Sequence, residues 1–159
     1  MKTEFAEEQK FTQWWLWLIL IAIGLLPVYG IYKQLIIGED FGSKPMSNLG
    51  LIIFSVFVLC FILLFYFMRL KTEIDPKEIR MRFFPFVQKS IPWSEIKDAK
   101  LVNYGFVGGW GIRLWTSYGT VYNTKGNKGL AIELLDGKKL LIGTQMEADL
   151  QKFLDRLER

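Results

Sequence analysis

The 159-residue chain is 51% hydrophobic and 23% charged, has 20 basic and 16 acidic residues for a net charge of +4, and contains no histidine. Such a composition requires the apolar and charged residues to occupy different parts of the chain. Without histidine the commonest metal ligand and the commonest neutral-pH general base are missing, and a charge this modest gives little support for nucleic-acid binding.

Residues 1–12 read as a short polar tail. Between Lys10 and Lys33 the only ionisable side chains are Tyr29 and Tyr32, and between Lys44 and Arg69 lies a second charge-free apolar run. Crossing the hydrocarbon core takes about 20 apolar residues. The expected spans are therefore 13–36 and 49–69, joined by a short external loop over 37–48. Trp14, Trp15, Trp17 and Tyr66 sit where the headgroup zone would be. An acidic flank with Glu4, Glu7 and Glu8 argues against a cleaved signal sequence. Pro27, Gly24 and Gly30 either kink the first span or are simply tolerated there. At membrane depth the polar groups are only Ser55 and Cys60, with Tyr29 toward one end, so an anchor hairpin fits the spans better than an ion pathway.

Lys and Arg set the orientation. The loop offers Lys33 and Lys44, whereas Arg69, Lys71, Lys77, Arg80, Arg82 and Lys89 follow the second span. That bias places both termini in the cytoplasm and the chain, as a multi-pass protein, in the inner membrane. The one cysteine, Cys60, falls within a span and agrees with a reducing cytoplasmic face.

Residues 70–159 read as a cytoplasmic β domain of six or seven strands. Ile79, Met81 and Phe83 alternate with Arg80 and Arg82, the period of a half-buried strand. "VQKSI" returns as its hairpin partner, and "PWSEI" makes a turn that should bury Trp93 and Ile96. "KDAKLVNY" is the next strand. In "LLDGKKLLIGT", Asp136-Gly137 predicts a two-residue type I′ hairpin turn. Thr144 and Glu147 have capping-box spacing, and Met146, Leu150, Phe153, Leu154 and Leu157 form one helical apolar stripe.

The stretch from Tyr104 to Tyr122 has five glycines and a single charge, Arg113. Its glycine spacing matches neither common phosphate-loop pattern, and the strand-like "IRLWTS" follows where a phosphate site needs a helix. Five glycines also make a poor third span. Two strands with glycine turns fit best. Its aromatics either fill the β core or, with Phe106, Trp110 and Tyr118 as the candidate patch, face the membrane or a partner.

The "SIPWSEI" turn, the "LLDGKKLLIGT" hairpin and the helix from Gln145 resemble the pleckstrin-homology-like fold. With the two spans they resemble small bacterial membrane proteins carrying such a domain. The fold class expected is a membrane α-helical hairpin plus a mainly-β (α+β) PH-like domain, an antiparallel barrel or sandwich capped by one C-terminal helix. The resemblance implies no catalytic residues.

No catalytic, cofactor-binding or metal-binding residues are expected, and no cofactor. The functional expectation is a non-enzymatic scaffold or protein-interaction module. Its partners would be the bilayer and either another membrane protein or a second copy of itself. The alternative is a module that reads anionic lipid headgroups through Arg69, Lys71, Arg80 and Arg82. An enzyme or transporter subunit ranks behind both.

Overall fold

The computed structural model describes residues 4–157 and divides into two compact units. One is the helical segment from Thr12 to Phe67; the other joins Met1–Phe11 to Met68–Arg159.

In the helical unit, α1 (Trp14–Ile31) continues as a π-helical stretch, Tyr32–Ile37, and α2 runs Asn48–Phe67. Both are long and apolar enough to cross a membrane. The pair is antiparallel. Trp17 meets Tyr66 edge-on at 6.4 Å, while Gly30 at the other end lies against Leu51 and Phe41. A Cβ on Gly24 would come within 2.9 Å of Ile62 Cδ1, so this glycine lets the helices approach closely. At the loop, Gln34 Nε2 donates to Met46 O and Asn48 Oδ1, both at 2.8 Å. The second span ends at Phe67, two residues before the sequence-based boundary, because Arg69 already belongs to a strand.

The β unit contains nine strands among the described residues: β1 (Phe5–Lys10), β2 (Arg69–Ile74), β3 (Glu78–Phe84), β4 (Val87–Pro92), β5 (Ile96–Asn103), β6 (Gly111–Thr116), β7 (Gly119–Asn123), β8 (Lys128–Leu134) and β9 (Lys139–Gly143). They form two sheets, ordered β1-β2-β3-β4 and β5-β8-β9-β7-β6, with α3 (Glu147–Leu157) after them. The fold class is thus two apolar helices, a two-sheet sandwich and one C-terminal helix. Alternation over β3 is as read, with Ile79, Met81 and Phe83 buried.

β1 departs from the sequence reading. Residues read as a tail pair in register with β2, from Phe5↔Ile74 to Lys10↔Arg69. Its inward side chains are Phe5, Glu7 and Gln9, all buried. Two of the three are polar, so period-two hydrophobicity, the signal that marks a half-buried strand, is hidden. Those polar groups have partners elsewhere in the unit. Gln9 Nε2 donates to Gly143 O at 2.7 Å and Gln9 Oε1 accepts from Thr124 Oγ1 at 3.1 Å.

The second sheet is antiparallel except where β7 lies parallel to β9. β5 is at one edge of this sheet and β6 at the other, so the segment between them must carry the chain across the sheet's full width. That segment is glycine-rich, with Gly105, Gly108 and Gly109 at positive φ. Tyr104 and Val107 from it pack with Val121, Leu141 and Tyr118 as a cluster of their own. β9 is consequently buried on both faces, Leu140 and Ile142 on one and Leu141 on the other.

Two local expectations change. The β8–β9 loop has Gly137 N donating to Leu134 O and Leu134 N to Lys138 O, both at 2.9 Å. Only Gly137 there has positive φ, so this is a type I turn closed by a glycine bulge, not a type I′ turn. The capping box is also replaced. Glu147 pairs with Lys128 at 3.0 Å, and the start of α3 is held by Glu7 of β1. Trp93 and Ile96 are half-buried, and the Trp93 indole donates to Asp75 O at 2.8 Å.

Candidate functional site

The outward face of the first sheet carries the charged side chains that alternate with its core residues. The antiparallel register sorts them by end. One row runs Glu8, Lys71, Arg82, and the next runs Lys10, Arg69, Phe84. Farther along, Glu73 faces Arg80. The two ends of the face therefore differ electrostatically.

At the Arg80 end the charges are compensated. Arg80 reaches Glu73 at 3.4 Å, Asp75 at 3.2 Å and Glu78 at 3.1 Å, and Glu78 also accepts from Ser90 Oγ. Backbone N–H donors of Lys77 and Glu78 are the main reason the Asp75 carboxyl sits below its ordinary pKa. Glu73 is lowered too, chiefly by the hydrogen bond from Lys71. Groups with depressed pKa stabilise the fold above their unfolded-state pKa, and this is lost as pH falls through the folded value. Acid unfolding followed by fluorescence should therefore begin earlier in Arg80→Gln than in wild type at neutral to mildly acidic pH. The two should converge once these carboxylates are protonated.

At the other end cations are in surplus. Glu8, Arg69, Lys71, Arg82 and Phe84 line a shallow depression of about 350 Å³. Glu8 Oε1 contacts Arg69 at 3.3 Å and Lys10 at 3.9 Å, and Lys71 Nζ bonds Glu73 at 2.6 Å. The Arg82 guanidinium lies 5.3 Å from the Phe84 ring centroid, a cation–π arrangement. Among the described residues no carboxylate lies within ion-pair distance of Arg82. Of the four candidate lipid-contact residues, three thus meet in one depression; Arg80 is drawn into its own carboxylate network.

The candidate aromatic patch is split. Phe106 is 87% exposed, whereas Tyr118 packs on the Val121–Leu141 cluster. Trp110 is half-buried, its indole donating to Gly126 O at 3.3 Å. Trp115, which was not among the candidates, is 95% exposed at φ +56°, beside a register shift between Arg113 and Thr116. Arg113, the lone charge of this stretch, donates to Trp110 O at 2.8 Å and so ties the glycine-rich crossing to β6. Among the described residues no group of three or more His, Cys, Asp or Glu is placed to hold a metal ion.

A model of the phosphoethanolamine transferase EptA/EptB family, of its N-terminal region, matches residues 1–88, more than half of the 159-residue chain. The chain belongs to that family. No curated protein and no solved structure matches it. The match overturns the expectation of a non-enzymatic scaffold, since the family is one of transferases. The match falls on the hairpin and the first strands, where composition reflects burial in lipid and in the sheet and not chemistry. Membrane localisation agrees with the family's membrane region and with the two apolar helices.

Proposed function

We propose, on the premise of membership in the phosphoethanolamine transferase EptA/EptB family, that the chain acts in the transfer of phosphoethanolamine groups at a membrane. The extent of the match carries this reading. Residues 1–88 take in the whole helical hairpin and strands β1, β2 and β3, and with them every residue lining the basic depression. Strands β5–β9 and α3 lie outside it.

In this reading the hairpin holds the chain in the lipid that carries the phosphoethanolamine group, and the outward face of the first sheet meets the headgroups. β1 precedes the first span and β2 follows the second, and the two are paired. Both ends of the hairpin therefore emerge on one side, and the Lys and Arg bias assigns that side to the cytoplasm of an inner-membrane, multi-pass protein. The pleckstrin-homology-like resemblance enters this reading as an expectation, with the hairpin between the first and second strands. An acceptor for the transferred group is the partner this reading requires.

Proteoliposomes of phosphatidylethanolamine labelled in its headgroup provide the test. Label should move to an acceptor about tenfold or more above protein-free vesicles, a barrier difference of about 1.4 kcal/mol. Folded, reconstituted protein giving only the protein-free rate over a panel of hydroxyl acceptors would sink the reading.

A further inference from the structure

The cross-strand register at the basic end of the first sheet places like charges directly opposite one another. Lys10 faces Arg69 across β1–β2, and Lys71 faces Arg82 across β2–β3. Like charges in this position destabilise a sheet. The same sheet avoids the problem one row farther on, where Glu73 faces Arg80. Among the described residues Lys10 and Arg69 both contact Glu8, Lys71 contacts Glu73, and Arg82 has no carboxylate within ion-pair distance. The Arg82 guanidinium is already oriented over Phe84, with its donors in a planar fork suited to phosphate.

We infer that this depression is a binding site for the phosphodiester of a membrane lipid headgroup, with Arg82 and Lys71 as its principal phosphate ligands and Arg69 at its rim. A phosphodiester's single negative charge offsets the like-charge pairing. Its two free oxygens accept from the guanidinium fork and the ammonium. Covalent connection favours a lipid source over a soluble one. Only Met68 separates Arg69 from the end of α2, and three residues separate Lys10 from the start of α1. At roughly 3.6 Å or less per residue, the chain itself keeps these cations near the headgroup layer. The site rests on the transfer reading only for which headgroup it meets.

The test uses the full chain in maltoside micelles, whose headgroups carry no phosphate. It is titrated with dihexanoyl phosphatidylethanolamine, with dihexanoylglycerol as the phosphate-free counterpart, and with inorganic phosphate, while calorimetry reads affinity. The phospholipid should bind, and inorganic phosphate about tenfold or more weakly. The Lys71→Gln, Arg82→Gln double variant should lose about tenfold or more in phospholipid affinity while remaining folded, as a cooperative unfolding transition would show. Arg80→Gln should leave affinity within about twofold. Unchanged phospholipid affinity in the double variant overturns the site. Equal binding of phospholipid and dihexanoylglycerol does the same, and inorganic phosphate binding as tightly as the phospholipid overturns the lipid source. Labelled-headgroup transfer is read on the same variants. Binding that needs Lys71 and Arg82 without any transfer keeps the site and removes the transfer reading; transfer with unchanged binding in the double variant removes the site alone.

Discussion

Replacing Glu7 with alanine should destabilise the β unit by about 3 kcal/mol, because two donors at the start of α3 lose their acceptor in a buried setting. Glu7 Oε2 accepts from Thr144 Oγ1 and Glu7 Oε1 from Gln145 N, each at 2.6 Å. Thr144 Oγ1 in turn accepts from Met146 N at 3.0 Å. A carboxylate thus stands at a helix N-terminus, where the orphan N–H groups and the helix dipole both favour it. Burial is the larger influence on this group and raises its pKa above 4.5, with the hydrogen bonds opposing. The sign for stability follows. A carboxyl raised in the folded state contributes most below its unfolded pKa, and that contribution is lost as pH rises through the folded value. Glu7→Gln, which keeps an acceptor but no charge, should therefore gain on wild type as pH climbs above about 4.5. Chemical denaturation of the full chain in micelles across that range measures both effects. A Glu7→Ala midpoint equal to wild type would show that β1 does not anchor the helix.

Gly119→Ala should cost about 4 kcal/mol, at the upper end of single-substitution effects. Gly119 opens β7 at φ +73°, and a Cβ there would overlap the backbone carbonyl of Lys139, which begins β9. Neither side can yield without breaking the parallel ladder that starts at Thr120↔Leu140. Gly137→Ala is the matched control. It has a similar φ of +82° but nothing within 4 Å of the added atom, so only the conformational penalty of about 1 kcal/mol applies. The difference between the two unfolding free energies isolates the steric clash. Equal losses would mean that the β7–β9 approach is looser than described.

Family membership is hidden from composition for a physical reason. With no histidine and no recognisable carboxylate motif, composition pointed away from enzymatic chemistry. Family membership instead rests on residues 1–88, most of which are span and strand. Span residues are chosen for transfer into lipid, and that requirement masks any second role they serve. The basic depression was partly legible, because Arg69, Lys71 and Arg82 stand out after a span. Excluding Arg80 needed the positions of Glu73, Asp75 and Glu78, two of which lie on other elements or turns.

Sequence by itself determined whatever depends on local period or on a local backbone requirement. The two spans follow from length without charge, β3 from alternation, the β8–β9 hairpin from Asp136-Gly137, and the α3 stripe from helical spacing. Tertiary structure alone decided the features whose partners are distant in the chain. β1 joins the sheet because Glu7 and Gln9 find buried partners more than a hundred residues away. β7 runs parallel to β9 because a glycine-rich crossing carries the chain to the far edge and back. The basic depression forms because register, which no single strand encodes, sets Lys71 opposite Arg82. A local pattern can specify which face of an element is apolar; which element that face meets is fixed only when distant polar groups and like charges must be reconciled in one fold.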